Sequence, residues 1–581
     1  MTLSLYNPVL ILLAPLLSAV INGLFGKRLG KGVFRLGLAL HVIAIAVAIQ
    51  ILYKVVTGGP SVIDLSPLIT PGSGIFGFTL LIDRLAAVMM VLISVITATI
   101  YIFSMNYMRQ ETDYPKFNVL LGFATFVLFC MVSSSNLITI FVFWQLVSFV
   151  LYLLSYQYSD KKTMQGAFKT FMTLRFGDVM FLLGIALAYS VYGTLELKEI
   201  FEQVPSIKTT YPLLGGIDIH ANTAITLLIF VGAMSKSAQF PLHVWVRDAL
   251  YAPTPMHALL HAGIINAGGF LINRLAPLYA SSHIALHVIL AIGFITVLIG
   301  SATMLTQNNI KRTLGYSTIG QMGFMILECG LGAFALAIFH LIAHGLFKAT
   351  IFLNCGNIIH KARQDPKLPA GIFSEDGGGN NEENEKFSPL MWATGFASSL
   401  LLPLLILLAA HGALNIPLMD FQGAVVFMFF SWITSSRVIT AIYRARRDVT
   451  FVRSLWLSFL MIFALGAVVF AYLFAAESFT YFLYPDHDTV AAYFNAAALP
   501  PALFDAIIGI TMLFVIGQWV LDYKSTHGRK TSSRHRAQEL KTWLYVTLIN
   551  NAYIDDVYAR LYSLVTRAAH AVEKKYLRFL P

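Results

Sequence analysis

"AMSKSAQFPLHVWVRDALYAPTPMHALLHAGIINAGGFLINR", residues 233–274, is a stretch that is mostly as apolar as a transmembrane segment, and it decides the fold. It contains a lysine, an aspartate, three histidines and three prolines. Proline removes a helical hydrogen bond, and in a membrane the freed backbone groups must be satisfied by neighbouring helices or by a polar cavity. We therefore expect broken helices here, inside a bundle, and we look for function in the polar groups they carry.

The rest of the chain has the composition of a polytopic membrane protein. Of its 581 residues, 57% are hydrophobic and 12% are charged, whereas soluble proteins carry about 25% charged residues. Apolar runs long enough to cross the bilayer recur along almost the whole length, beginning with residues 5–24, 33–56, 78–105, 117–132 and 137–156. We predict an all-α membrane protein with about fifteen transmembrane helices of roughly 20 residues each.

Cysteine and charge patterns exclude several classes of protein. The three cysteines, Cys130, Cys329 and Cys355, lie in apolar segments and form no C-x-x-C pair. This pattern excludes a disulfide framework, an iron–sulfur cluster site and a haem-attachment site. The net charge of +11 gathers in loops and near the C-terminus, as positive-inside topology requires, so no nucleic-acid partner is needed. No nucleotide-binding or zinc-ligand spacing is present either. We expect no cofactor, no metal and no catalytic site in this chain.

Two polar stretches interrupt the apolar runs. We predict an antiporter-like transmembrane domain over residues 1–521, with a flexible loop at residues 361–386 that is rich in Gly, Asn and acidic residues. Residues 522–581 are predicted to form a basic linker and an amphipathic helix, whose apolar face lies on a membrane or against a partner subunit. The apolar residues of that helix are Trp543, Leu544, Val546, Leu548, Ile554, Val557, Leu561, Leu564 and Val565.

Four ionisable residues fall inside apolar runs: Lys169, Asp178, Lys236 and Lys348. Each costs about 2.5–3.5 kcal/mol at a helix centre, so the four together cost roughly 10 kcal/mol unless they are paired or hydrated. Ionisable residues retained at such a cost indicate an ion or proton pathway.

Lys236 is followed by Pro241, which leaves the Ser237 carbonyl without its helical partner. This pattern predicts a polar, unwound place at membrane depth. The alternative is a lysine that snorkels from a helix end to the headgroups.

Histidines follow the other two prolines of the quoted stretch. His257 and His261 lie one turn apart just after Pro253 and Pro255, which predict a discontinuous helix of the kind that transporters use to hold ions. Histidine passes protons at neutral pH, although a buried histidine is more often an ordinary hydrogen-bonding residue. We favour His261 over His257 as a pathway residue.

Two further helices carry titratable groups. His340, His344 and Lys348 form one helical stripe over about 12 Å and predict a relay. Arg175 and Asp178 are spaced to form an ion pair, which would serve either structure or function. Lys169 lies about half a turn round the helix from Asp178, so the two cannot pair within that helix, and Lys169 could instead be interfacial.

These residues carry a resemblance to a known family. The motifs "KSAQFPLHVW", "APTP", "NNIKRTLGYSTIGQMGFM" and "FHLIAHGLFKATIFL" resemble those of the antiporter-like family of NuoL-type complex I subunits and Mrp-type cation/proton antiporter subunits. The resemblance implies two inverted five-helix repeats with broken helices, a central row of polar residues, and proton translocation without a bound cofactor. It also implies roles for matching residues: Lys236 as the central lysine, Asp178 of "RFGD" as its acidic partner, and His340, His344 and Lys348 as the connecting chain.

The departures from the family narrow the resemblance. Gln145 stands where the family has a glutamate, and the segment from Trp392 continues without the family's distal lysine. With "HAGIINAGGFLINRLAPLY", these changes make the chain most similar to the DabB-type membrane subunits of bacterial inorganic-carbon accumulating pumps. That similarity implies a bacterial inner-membrane location and a large, zinc-containing, carbonic-anhydrase-like partner of the DabA type on the cytoplasmic side. The zinc would then belong to the partner.

Three functions stay open at this stage. The first is a proton- or sodium-coupled subunit that energises CO2 hydration and bicarbonate accumulation by the partner, through Lys169, Asp178 and Lys236. In that reading the relay is the set His261, His340, His344 and Lys348. The second is a proton-pumping subunit of a complex I-like or Mrp-type assembly, and the third is a non-conducting scaffold for a soluble enzyme.

Overall fold

The computed structural model describes residues 6–29, 31–65, 78–108, 114–155, 161–212, 218–248, 254–364, 473–506 and 534–576, with a few single positions between 459 and 509. Within these ranges the chain is helical apart from two short β-hairpins and connecting turns. The predicted all-α polytopic class is therefore confirmed.

The first two helices lead into a hairpin. Helix α1 covers Tyr6–Leu29 and α2 covers Lys31–Gly58, followed by strands β1 (Ser61–Asp64) and β2 (Thr79–Ile82), which pair antiparallel. The prediction of one span over residues 78–105 is wrong at its start, because residues 79–82 are extended and pair with β1. Helix α3, Arg84–Tyr107, begins only after Asp83, whose carboxylate caps it by accepting the Ala86 N–H at 2.8 Å.

The chain continues with three long helices, a short helix and a second hairpin, which lead to the helix that ends at Lys236. Helices α4 (Tyr114–Ser133), α5 (Leu137–Ser155) and α6 (Lys161–Tyr192) are followed by a short helix α7 (Leu197–Gln203) and a 3-10 turn, Val204–Ser206. A second hairpin, β3 (Thr210–Pro212) with β4 (Asp218–His220), leads into α8, Ala221–Lys236.

The quoted stretch contains broken helices, as predicted, and Pro241 lies in the first break; Pro255 instead lies at the start of a helix, and the second break falls after it, at a turn without a proline. After α8 ends at Lys236, the chain forms the single turn α9 (Trp245–Asp248) and then α10 (Thr254–Leu259). A π-helical turn, Leu260–Ile264, precedes α11 (Ala267–Arg274) and α12 (Ala276–Ala280). Pro253 lies outside the described residues.

Three long helices complete the described bundle: α13 (His283–Met304), α14 (Ile310–Gly330) and α15 (Phe334–Gln364). A π-helical turn, Phe474–Phe479, leads into α16 (Thr480–Leu483), which is followed by α17 (His487–Ala496). Helix α15 extends to Gln364, four residues into the predicted loop, so the loop begins no earlier than residue 365, and the remainder of it lies outside the described ranges.

The C-terminal segment forms two helices rather than one. Helix α18 covers Arg534–Ile549 and α19 covers Ile554–Tyr576, and they are separated by a turn at Asn551–Tyr553. Asn551, Ala552 and Tyr553 all have positive φ angles, 53°, 53° and 57°, which no continuing right-handed helix permits. Residues 522–533 of the predicted linker lie outside the described ranges.

Eight of the described helices are long and apolar enough to cross a membrane, which establishes a multi-pass membrane protein. The predicted total of about fifteen also counted apolar runs between residues 365 and 533 that the described ranges largely leave out, so that total stays a prediction, as do the inverted repeats.

Lysine and arginine residues orient the bundle. One end of the described helices is rich in them, and the opposite end has fewer, among them Lys198 and Lys208. The positive-inside rule makes the basic end cytoplasmic. The basic residues at this end include Lys27, Arg28, Lys31, Lys116, Lys161, Lys162, Lys311, Arg312, Lys361 and Arg363.

Candidate ion-conducting site

Close packing of α6 against α8 brings the "RFGD" and "SK" motifs together. A side-chain carbon at Gly177 would lie 1.9 Å from the Ser235 hydroxyl oxygen, so only glycine allows this approach. The next position after Gly177 is Asp178, and the next after Ser235 is Lys236. The glycine therefore sets the separation between the acid and the lysine.

Lys236 ends α8 with a fully buried side chain. Its ammonium group donates hydrogen bonds to the Trp144 carbonyl at 2.8 Å and to the Ser148 hydroxyl at 2.5 Å. The same group lies 4.6 Å from the centre of the Trp144 ring, within the range of a cation–π contact. The side chain turns into the bundle, which excludes the snorkelling alternative.

Asp178 contacts the same tryptophan through its indole N–H. Its carboxylate accepts the Trp144 indole N–H at 2.8 Å and pairs with Arg175 at 2.9 Å, so the predicted ion pair forms. Gln145 lies near enough to act on the Asp178 carboxylate. The residue that stands where a glutamate was expected is therefore a neutral neighbour of this carboxylate.

Ser237 connects the break after Lys236 to the second broken helix. Its carbonyl, which loses its helical donor because of Pro241, accepts the Gln239 side-chain amide at 2.8 Å. The Ser237 hydroxyl donates to the Ile265 carbonyl at 2.6 Å and accepts the Gly268 N–H at 3.1 Å. The predicted unwound polar place is confirmed, and its freed backbone groups are satisfied by side chains from within the bundle.

The π-helical turn contains His261, which is completely buried. Its ring stacks on Phe352 of α15 at a centroid distance of 4.4 Å and an interplanar angle of 3°. Neither ring nitrogen hydrogen-bonds to a protein group among the described residues. The ring of His257 lies 6.4 Å away, one turn back along the chain.

The stripe on α15 faces this turn. His344 and Lys348 both act electrostatically on His261. The ammonium group of Lys348 donates to the Ser317 hydroxyl at 2.9 Å, and the rings of His340 and His344 lie 6.3 Å apart. The structure thus brings the predicted histidines and Lys348 into one group across α10, the π-helical turn and α15.

Lys169 is half-buried on α6, nine residues before Asp178 and therefore about 13 Å nearer the cytoplasmic end along the helix. This position fits either an entrance to the path or the interfacial alternative.

Sequence reasoning missed two acidic residues. Glu328 near the end of α14 lies 3.0 Å from Nδ1 of His340, and Asp83 forms a bidentate pair with Arg274. A single acid inside the apolar run "MILECGLG" was the available signal for Glu328. Among the described residues, no group of three or more His, Cys, Asp or Glu side chains is arranged to hold a metal ion.

Family comparison identifies this architecture. The family described as NADH:quinone oxidoreductase/Mrp antiporter, TM, matches residues 134–442, and the one described as NADH-Ubiquinone oxidoreductase (complex I), chain 5 N-terminus, matches residues 69–118. The first match covers more than half of the chain and contains every residue predicted for the site.

Two curated relatives match over different extents. DabB1 of Halothiobacillus neapolitanus, a probable inorganic carbon transporter subunit, is 37% identical over 560 residues, which are 95% of this chain and 96% of that protein. NADH-quinone oxidoreductase subunit L of Neisseria meningitidis serogroup A is 34% identical over 396 residues, 66% of this chain but 57% of that protein.

Solved structures show the same fold. One similar chain belongs to the membrane-bound sulfane sulfur reductase, an archaeal respiratory membrane complex, with a TM-score of 0.59 and 18% identity over 84% of this chain and 99% of that chain. Another belongs to the Mrp complex from Dietzia sp. DQ12-45-1b, with a TM-score of 0.57 and 22% identity over 98% of this chain and 63% of that chain.

Proposed function

Since the chain belongs to the NADH:quinone oxidoreductase/Mrp antiporter family of ion-translocating membrane subunits, we propose that it is the proton- or sodium-translocating subunit of an inorganic-carbon accumulating pump. The observation that carries the ion-translocating role is Lys236, a fully buried lysine at a helix break. Its ammonium group and the Asp178 carboxylate both contact one tryptophan, Trp144. A purely structural lysine would not need a break in the helix beside it.

The proposed ion path has a core and a relay. The core contains Lys169, Asp178 and Lys236. These residues lie on α6 and α8, which pack closely because Gly177 has no side chain. The relay runs from His261 in the π-helical turn to Lys348, His344 and His340 on α15. Ser237 supports a connection between the core and the relay. Its hydroxyl hydrogen-bonds the end of α8 to Ile265 and Gly268, which lie beside the relay.

The partner in this proposal is a large, carbonic-anhydrase-like zinc subunit of the DabA type. The similarity to DabB1 over nearly the whole of both chains supports this assignment. The partner would hydrate CO2 with its own zinc, while this chain, with no cofactor of its own, would couple the ion gradient to that reaction and make it effectively one-way. Bicarbonate would then accumulate in the cytoplasm.

A second candidate is a proton-pumping subunit of a complex I-like or Mrp-type assembly. The 34% identity to subunit L of the meningococcal NADH-quinone oxidoreductase favours it. Two sequence features weigh against it: Gln145 in place of the family's glutamate and the missing distal lysine.

Affinity purification of the tagged full-length chain from its native membrane tests the choice, with mass spectrometry and metal analysis of whatever accompanies it. We expect one large, zinc-bearing soluble partner. Flavin and iron–sulfur subunits in the same preparation would instead establish the respiratory assembly and overturn the carbon-pump proposal.

Lys236→Ala tests ion translocation itself. In cells that depend on this chain for inorganic carbon, we expect the variant to lose growth at ambient CO2 and to regain it at elevated CO2. Lys198→Ala is the matched control, because Lys198 is an exposed lysine of α7. A non-conducting scaffold predicts that Lys236→Ala alters only the amount or stability of the complex, so membrane levels of the complex must be measured in the same cells.

A further inference from the structure

Glu328 is a buried carboxylate that the proposed ion path does not include. It lies on α14, two residues before the helix ends, with 9% of its surface exposed. Both carboxylate oxygens lie within hydrogen-bond distance of Nδ1 of His340, at 3.0 and 3.1 Å. His340 is the first member of the stripe on α15, so the carboxylate extends that stripe by one titratable group.

Gln321 fixes how His340 faces the carboxylate. The Gln321 side-chain oxygen lies 2.9 Å from Nε2 of His340, so it accepts the Nε2 proton. Nδ1 is therefore left to face Glu328 in both charge states. One proton lies between the two groups, held either by an imidazolium that donates to a carboxylate or by a carboxylic acid that donates to a neutral imidazole.

No second cation fixes the charge of Glu328 among the described residues. The charged group acting on it is His340 of α15. The neighbouring thiol, Cys329, is directed instead toward the Asn273 amide, at 3.6 Å. A buried carboxylate whose partner is a histidine, rather than a lysine or arginine, can change charge together with that partner, whereas a permanent ion pair cannot.

Position along the helices assigns a side of the membrane to this pair. Lys348 lies about 12 Å along α15 from His340, and its partner Ser317 lies toward the basic, cytoplasmic end of α14. Glu328 lies at the other end, beside the turn at residues 331–333.

We propose that Glu328 is the proton-exchanging carboxylate that ends the Lys348–His344–His340 relay on the extracytoplasmic side. This inference rests on the proposed ion-translocating function and adds a residue to it. In the exchange step the N–H bond at Nδ1 of His340 breaks while an O–H bond forms on Glu328, which leaves a neutral imidazole and a carboxylic acid. For net transport, Glu328 exchanges its proton with the extracytoplasmic side and His340 exchanges its proton with the rest of the relay, so each cycle passes one proton and returns the pair to its starting charge.

The proposal is tested with the complex purified through the full-length chain and reconstituted into liposomes that contain a pH-sensitive dye. We expect Glu328→Gln to lower proton flux by about 100-fold, the usual size of a lost proton-transfer group. Glu328→Asp, which keeps the carboxylate, should restore flux and shift its dependence on pH. Glu199→Gln is the matched control, because Glu199 is an exposed glutamate of α7 at the same end of the bundle.

A double variant separates a shared proton step from two independent effects. If Glu328 and His340 act as one unit, Glu328→Gln/His340→Gln should be no slower than the slower single variant. Multiplying losses would show that the residues act separately and would overturn the proposal. Flux in Glu328→Gln within about threefold of the wild type would overturn it as well, since a lost proton-transfer group costs far more.

Lys236→Ala in the same liposomes distinguishes failure of this inference from failure of the proposed function. If Lys236→Ala stops flux while Glu328→Gln does not, only the role of Glu328 is wrong. If both variants conduct normally, the ion-translocating function is wrong. Should Glu328→Gln fail to assemble, Glu328→Asp decides alone: a shifted pH profile supports the proposal, and a profile that superimposes on the wild type overturns it.

Discussion

The ammonium group of Lys236 lies over the ring of Trp144 at 4.6 Å and donates to the backbone carbonyl of the same residue at 2.8 Å. The indole N–H of Trp144 donates in turn to Asp178. The tryptophan therefore contacts both charged groups, the lysine through its ring face and backbone carbonyl and the carboxylate through its indole N–H. A direct contact between Lys236 and Asp178 would be a tight ion pair, because the dielectric constant inside the bundle is low. Both groups would then stay charged, and neither would readily take up or release a proton.

Trp144→Phe tests whether transport depends on the indole N–H of this shared tryptophan. The variant keeps an aromatic ring beneath Lys236 but removes the N–H that Asp178 accepts. An unsatisfied buried acceptor costs about 1–3 kcal/mol, so we expect Asp178 to move toward Lys236 and ion flux in liposomes to fall by about tenfold, equivalent to roughly 1.4 kcal/mol. Trp543→Phe is the control, because Trp543 is exposed on α18. Unchanged flux in Trp144→Phe would show that the indole N–H has no part in transport.

The sequence contained enough information for Lys236, because a proline five residues after a buried lysine predicts both the break and the polar surroundings that the structure has. The partners of the lysine were beyond prediction. Trp144 and Ser148 lie about 90 residues earlier in the chain, and one of the two contacts uses a backbone carbonyl, which any residue type would supply. Glu328 was detectable as a lone acid in an apolar run, but its pairing with His340 depends on how α14 packs against α15.

Gly177→Ala tests whether the acid and the lysine depend on the close approach of α6 to α8. A methyl group there would meet the Ser235 hydroxyl at 1.9 Å, so the helices must separate. We expect a loss of about 1–3 kcal/mol in unfolding free energy, as is usual for overpacking, measured by unfolding in detergent.

Ser235→Gly on the same background should recover part of that loss, because it removes the side-chain atoms that clash. Gly58→Ala is the control, since a side-chain carbon at Gly58 meets nothing within 4 Å. Equal stability of Gly177→Ala and Gly58→Ala would contradict the packing argument.

Arg274→Gln tests the ion pair between α11 and the start of α3. The Arg274 guanidinium, 4% exposed, binds Asp83 with two hydrogen bonds and also donates to the Val132 carbonyl at 2.9 Å. Breaking a buried pair on one side costs about 3–5 kcal/mol, and we expect the lower end of that range because the Asp83 side chain is 29% exposed. The measurement is the free energy of unfolding in detergent, and the control is Arg567→Gln on exposed α19. If Arg274→Gln lowers the free energy of unfolding no more than the control does, the pair has no stabilising role.

Charge exchange between Arg247 and Asp555 tests how the C-terminal helices attach beside the ion site. Arg247, in the broken stretch after Lys236, pairs with Asp555 at the start of α19, and His243 contacts Asn551 of the preceding turn at 3.2 Å. We expect Arg247→Asp or Asp555→Arg alone to release α19 and speed chymotrypsin cleavage within it roughly fivefold, which corresponds to about 1 kcal/mol for a partly exposed pair. The double variant, Arg247→Asp/Asp555→Arg, should return to the wild-type rate, because it restores opposite charges at the same positions. The control is Asp556→Arg, because Asp556 is a neighbouring exposed acid outside this pair, and it should leave the cleavage rate unchanged. A double variant that is cleaved as fast as the single variants would show that the attachment does not depend on this ion pair.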